Sequence, residues 1–201
     1  MRPKLIAIAS LLLLAGCARA YEQNPDPNHT HADFAVWVDG VQADFSGAEY
    51  MSGLSTDETT HDEADEVHDQ YLHLHDSNGH VIHSHKPGLT VKSFFDSIKV
   101  GFTEYCYSSG MPMADGEVCG ETPFRFFVNG KEQSFDLDYV FQDMDQLLIT
   151  NAQTDEQIAK ELDQLTDDAC LYSRTCPWRG EPPSENCIAD PAVPCVAPDE
   201  D

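Results

Sequence analysis

Apolar and polar residues alternate along the first folded stretch. Phe34, Val36 and Val38 interleave with Asp33, Ala35 and Trp37, the two-residue period of a strand over Ala32 to Val38. Asp39-Gly40 is a hairpin signal and turns the chain into Val41 to Phe45. A second hairpin is expected over Gln70 to Asp76 and His80 to His85, closed by Ser77-Asn78-Gly79 and ended by Lys86-Pro87-Gly88. The period then lengthens. Thr90 stands where it can cap a short helix over Val91 to Ile98, with Phe94, Phe95 and Ile98 as its buried stripe. Further strands are expected over Phe102 to Tyr107, over Phe124 to Val128 with Asn129-Gly130 turning the chain back, and over Gln146 to Thr150. Thr154 opens a second helix with Gln157 as capping-box partner, and Ile158, Leu162 and Leu165 give it one apolar face. Residues 57–69 are acidic without an apolar face, which predicts a solvated loop or weak helix. From Cys170 onward Pro and Cys dominate, so the tail is expected to be irregular.

This order is α+β: an antiparallel or mixed sheet with hairpins and two short helices, plus a disulfide-held C-terminal tail. From His80 to Thr150 the chain runs through a strand, a Thr-capped helix, Val128-Asn129-Gly130 and a closing strand from Asp143 to Ile149. That succession resembles the ubiquitin-like β-grasp pattern and implies a β-grasp-like sheet. With 201 residues, one domain and an appendage fit. The expected organisation is a leader over 1–16, a tether over 17–28, the His-rich domain over 29–168 and a Cys/Pro-rich tail over 169–201 packed on it.

Arg2 and Lys4 precede an apolar run from Leu5 to Ala15, too short to span a bilayer comfortably. Leu14-Ala15-Gly16-Cys17 then resembles the lipobox of bacterial-type lipoproteins, which implies a lipidated Cys17 as the first mature residue and an anchor in the membrane. The alternative is an ordinary signal peptide cut after Ala20, from Ala18-Arg19-Ala20. Both mean export.

Charge narrows the partners. There are 36 acidic residues against 11 basic ones, a net charge of -25. Such a surface repels phosphate backbones, so nucleic acid is not an expected partner. Most of the acid serves solubility, and some of it can attract cations. Export makes the cysteines legible as well. Besides Cys17 there are Cys106, Cys119, Cys170, Cys176, Cys187 and Cys195, an even set that reads as three disulfides. Cys106 and Cys119 flank a turn-rich stretch and form the natural local pair, leaving the other four to staple the tail. Cys-x-x-Cys is absent, so a thioredoxin-type redox motif is missing.

The histidines carry the candidate chemistry. All nine lie between positions 29 and 85, and six form three His-x-His pairs: His29/His31, His73/His75 and His83/His85. Residues two apart on a strand share a face, so each pair presents two imidazoles side by side. A two-residue Asn78-Gly79 loop would put His73 and His75 on the face opposite His83 and His85. A three-residue loop, Ser77-Asn78-Gly79 with Gly79 left-handed, instead sets His73 against His83, His75 against Val81 and Tyr71 against His85. Leu72, Leu74 and Ile82 then collect on the other face, and only this register separates apolar from polar. His29, His31 and Asp33 share parity and can join the patch if their strand pairs nearby. The result is a nitrogen-rich site of four to six ligands suited to Zn(II) or Cu(II), with intrinsic affinity favouring copper. His61, His68 and His80 stay outside this set. The competing reading is exposed, pH-responsive or merely solubilising histidine.

The segments His31-Ala32-Asp33-Phe34-Ala35-Val36, Leu72-His73-Leu74-His75-Asp76, Val81-Ile82-His83-Ser84-His85, Ala169-Cys170-Leu171-Tyr172-Ser173 and Cys176-Pro177 are similar to a family of small exported or lipid-anchored prokaryotic proteins. The resemblance implies the His-x-His pairs as a family feature and supplies no reaction. The protein-disulfide isomerase label sometimes given to such sequences conflicts with the missing Cys-x-x-Cys. The leading expectation is a non-enzymatic carrier, buffer or sensor of copper or zinc at the cell envelope. One alternative is a metal-dependent hydrolase or copper redox enzyme, with Asp33 or Asp76 as the nearby acid. Another is a thiol-disulfide protein working through an exposed Cys106–Cys119 bond.

Overall fold

The computed structural model describes residues 21–26, 28–51, 71–74, 76–109 and 117–181. Its strands are β1 (Thr30–Val38), β2 (Val41–Gln42), β3 (Leu72–His73), β4 (Val81–Ser84), β5 (Val100–Phe102), β6 (Cys106–Ser109), β7 (Glu117–Cys119), β8 (Arg125–Val128), β9 (Lys131–Gln133) and β10 (Gln146–Thr150). The helices are α1 (Val91–Ser97), α2 (Asp155–Leu162) and α3 (Ala169–Tyr172). The class is α+β, as the pattern of periods requires.

Among the described residues the main sheet has seven strands in the order β3-β4-β1-β10-β8-β9, with β2 also paired to β1. β1 and β10 run parallel at its centre, β4 and β8 flank them antiparallel, and α1 follows β4. A central parallel pair flanked antiparallel on both sides makes the sheet mixed. It begins at β1, fifty residues before the His80 start expected from the local pattern. β5, β6 and β7 form a separate three-stranded sheet between α1 and β8. The single strand expected over Phe102 to Tyr107 is thus a bent pair, β5 and β6. They pair antiparallel, with Phe102 opposite Tyr107.

Local chemistry accounts for the turns and caps. Asp39 and Gly40 have φ of 51° and 77°, and Asn129 and Gly130 have 51° and 72°. Both central residues of each turn are left-handed, the condition for a tight hairpin turn, and Asn, Asp and Gly meet it at least cost. Thr90 Oγ1 accepts from Ser93 N at 3.0 Å and caps α1. Thr154 Oγ1 accepts from Gln157 N at 3.3 Å and caps α2. Gln157 contacts the Thr154 hydroxyl instead of reaching back to the backbone, so the expected box is closed on one side only. The strand expected over Val41 to Phe45 pairs only at Val41–Gln42.

Gly79 departs from expectation. It is not left-handed; Asp76 and Ser77 are, with φ of 58° and 57°. The chain needs glycine there because a Cβ would lie 2.5 Å from the Phe45 carbonyl carbon and the Ser46 nitrogen. β3 and β4 pair only at Leu72 and His73, while Leu74 bridges to Met51.

The two faces of β1 see different neighbours. Phe34 and Val36 join Phe45, Leu72, Ile82, Phe94, Phe95, Phe126, Leu147 and Ile149 in the large core under α1. Each such side chain contributes about 1.5–3 kcal/mol by leaving water. Ala35 and Trp37, on the other face, pack with Phe127, Leu148, Ala152 and Ile158 under α2. Glu161 of α2 is 3 % exposed on this inner side, and its Oε2 has no hydrogen-bond partner. Burial raises its carboxyl above the usual range, against a hydrogen bond with Thr150 that lowers it. A raised carboxyl contributes stability that is present below the unfolded value and lost as pH climbs through the folded one. Glu161→Gln is therefore expected to stabilise the fold at neutral pH, by about 1 kcal/mol. In urea melts the gain should vanish below about pH 4, where the unfolded carboxyl is also protonated. An unchanged midpoint at pH 7 would contradict this.

Where it is described, the tail is held by the Cys170–Cys176 disulfide and carries two short helical turns within otherwise irregular chain. α3 is followed by a 3-10 turn over Pro177–Arg179, and α3 packs on β1. Residues 21–26 meet this segment too: Glu22 N donates to Thr175 O at 2.7 Å, and the Tyr21 and Trp178 rings lie 5.7 Å apart.

Candidate metal centre

The site is built by register. β1 and β4 place His31 opposite His83, and β3 and β4 place His73 opposite His83. Three imidazoles therefore stand in one row across three neighbouring strands. The adjacent row is set just beyond the strand ends, where His85 N donates to Tyr71 O at 2.9 Å. His29 and His85 meet there with ring centroids 4.1 Å apart. Same-face neighbours on paired strands lie close enough to touch, so no long-range search was needed beyond strand pairing. His73 facing His83 and Tyr71 facing His85 are the partners that the apolar-polar separation requires.

The rings are close-packed. Centroids lie 4.6 Å apart for His29–His31, 4.8 Å for His31–His83, 4.9 Å for His73–His85 and 6.1 Å for His73–His83. His31, His73, His83 and His85 are buried, and His29 is half-buried. The open side of the nest is therefore at His29. Its backbone is held by His29 N to Asp26 O at 3.1 Å and Asn24 Nδ2 to His29 O at 3.0 Å. Ligand nitrogens of His29, His31 and His83 all lie within 4.8 Å of one another. Small ring rotations would bring these three onto one ion. His73 and His85 line the same nest outside that inner group. His75 lies outside the described residues, as do His61, His68, Cys17, Cys187 and Cys195. His80 stands apart, with Nε2 3.0 Å from Asp168 Oδ2.

The nest is roofed by α3 and the residues after it. Tyr172 sits with its ring 4.6 Å from His83 and 5.5 Å from His31, and Asn78 Nδ2 donates to its hydroxyl at 2.9 Å. His31 Nδ1 lies 2.8 Å from Ser173 Oγ, which donates to Asp143 Oδ1 at 2.5 Å. Asp143 Oδ1 also accepts from His31 N at 3.0 Å. Sequence reading missed Tyr172, Ser173, Asn78 and Asp143 as parts of the site. Tyr172 and Ser173 lie in one of the family-like segments, but no spacing rule relates position 173 to position 31.

Asp33 does not reach the metal nest as an acid. It accepts from the Thr166 hydroxyl, from Asp168 N at 2.9 Å and from Ala169 N at 3.0 Å. Burial raises its carboxyl above the usual range and outweighs these three donors, which act the other way. Its job is to pin the start of α3 to β1. Asp76 is exposed in the loop after β3. Neither supports the role of catalytic acid named for the enzyme alternative. At Asp168 burial alone would raise the carboxyl, but hydrogen bonds from Arg179 and His80 outweigh it and hold the group below its usual range.

Two disulfides form among the described residues, Cys106–Cys119 and Cys170–Cys176. Cys106 and Cys119 are opposed in the β6–β7 pair, as the local pairing expects. Disulfides belong to an oxidising compartment. Among the described residues no helix is long and apolar enough to cross a membrane. No protein family, curated protein or solved structure matches the chain.

The site is thus a buried, nitrogen-only group of imidazoles able to hold a metal ion, with an opening on one side. The four cysteines described are bonded to one another and supply no thiolate.

Proposed function

We propose that this protein is a metal-binding lipoprotein of the cell envelope that carries, buffers or senses copper or zinc. The observation that carries the reading is the convergence of His29, His31 and His83 within 4.8 Å. A donor set made only of imidazole suits Cu(II) and Zn(II), and intrinsic affinity favours Cu(II). His85, with its ring centroid 4.1 Å from that of His29, is the candidate fourth donor. The net charge of -25 raises the local concentration of cations around the opening. The apolar run from Leu5 to Ala15 and the small-small-Cys that ends at Cys17 support a lipid anchor, and the disulfides fit an exported chain.

Metal analysis of untagged protein taken from the envelope tests the reading. About one copper or zinc ion per chain is expected; neither metal above a tenth of that level would overturn it. The anchor is tested separately. Cys17→Ala should move the protein from the membrane fraction to the soluble one, and full retention in the membrane would remove lipidation from the proposal.

A further inference from the structure

The metal ligands come from residues 29–85, yet the group that orients one of them comes from the far end of the chain. Ser173 has one hydroxyl proton, and the 2.5 Å approach to Asp143 Oδ1 commits it there. Its oxygen must then accept from His31 Nδ1 at 2.8 Å, so Nδ1 carries the imidazole proton. The lone pair of His31 is thereby placed on Nε2. Metal-ligating histidines depend on such a partner on the other ring nitrogen, and losing it typically lowers metal affinity 10–100-fold.

Ser173 lies inside the loop closed by Cys170 and Cys176. Both cysteines are buried against the domain, at 0 % and 1 % exposure. Upstream, Asp33 pins Asp168 and Ala169, and Ser173 N donates to Ala169 O at 2.9 Å. Downstream, Thr175 N returns to Cys170 O at 2.9 Å, inside the same loop. The covalent bond closes this turn alongside that hydrogen bond, and it is the one link across the turn that depends on redox state.

We propose that the Cys170–Cys176 disulfide readies the histidine nest for metal by holding Ser173 against His31, so that the oxidised chain binds the ion more tightly than the chain lacking this bond. The inference rests on the metal-binding reading above. Closing the bond moves two electrons from the two thiols to a disulfide-bearing oxidant, which leaves as a dithiol with the two protons. A newly made, reduced chain is then a poor metal trap, and it becomes a good one only after export into an oxidising compartment. Burial of both sulfurs preserves the bond once folding is complete.

The test is Zn2+ affinity, read by competition with a chromophoric chelator, for wild type, Ser173→Ala, Cys170→Ala/Cys176→Ala and the triple variant. Imidazole 15N shifts of metal-free protein report the His31 tautomer independently. Ser173→Ala is expected to weaken Zn2+ binding about tenfold or more. It should also move His31 away from the Nδ1–H signature. The cysteine pair, with a native far-UV spectrum, should lose a similar factor, and the triple variant should lose no more than either alone, because both act through one contact. Ser173→Ala keeps the bond, so affinity within twofold of wild type overturns the proposal whatever the cysteine pair does. Full additivity in the triple variant also overturns it. Wild type that binds no Zn2+ or Cu2+ sinks the metal-binding reading together with this one. Wild type that binds while all variants match it sinks this one alone.

Discussion

Replacing His31 or His83 with Ala is expected to lower metal affinity by about 100-fold each. Zinc-finger sites bind with about 10–16 kcal/mol spread over four ligands, and on that scale one ligand is worth about 3 kcal/mol, or roughly two decades. These two residues face each other across β1 and β4, their ligand nitrogens lie within 4.8 Å of each other and of His29, and both are buried. The double variant should retain no stoichiometric metal after dialysis. His80→Ala is the matched control, because His80 pairs with Asp168 outside the nest. Equal metal content in the His31/His83 double variant and the His80 variant would refute the assignment of the ligands. Acid should release the ion for the same reason. Imidazole must be neutral to donate its lone pair, so protons compete with the metal as the pH falls.

Asp33→Ala is expected to cost about 3 kcal/mol or more. The carboxylate is 1 % exposed and satisfies three donors, the Thr166 hydroxyl and the amides of Asp168 and Ala169. Removing it leaves those donors buried, at about 1–3 kcal/mol each before any relaxation. Asp33→Asn should be intermediate, since its amide NH2 must face a donor on one side. Urea unfolding measures the loss, and hydrogen exchange should rise first across residues 166–176, where α3 detaches from the sheet. Metal affinity should fall with it, because Tyr172 and Ser173 ride on that segment. An Asp33→Asn chain as stable as wild type would mean that Asp33 is not the pin of the roof.

Much of this was open to reading in the chain itself. The two periods, the Asp39-Gly40 and Asn129-Gly130 turns and the Thr90 and Thr154 caps are local properties, decided within a few residues of each other, and the folded protein keeps them. The same holds for the parity of the His-x-His pairs. A strand alternates sides whatever its neighbours are, so His29 with His31 and His83 with His85 had to share faces. The facing of His73 and His83 followed from keeping Leu72 and Ile82 together in an apolar layer.

Tertiary pairing decided what parity could not. The parallel alignment of β1 with β10 and the antiparallel alignment of β1 with β4 joined three segments into one sheet, pairing residues as far apart in the chain as Asp33 and Gln146. Only then did two His-x-His pairs and His73 become one nest. The role of Asp33 also needed the fold, because an acid beside histidines looks the same in sequence whether it serves a metal or caps a helix more than 130 residues away. The roof is the extreme case: the hydrogen bonds that join Ser173 to His31 and Asp143 depend on where a short stapled turn lands, and nothing local to residue 173 encodes that place.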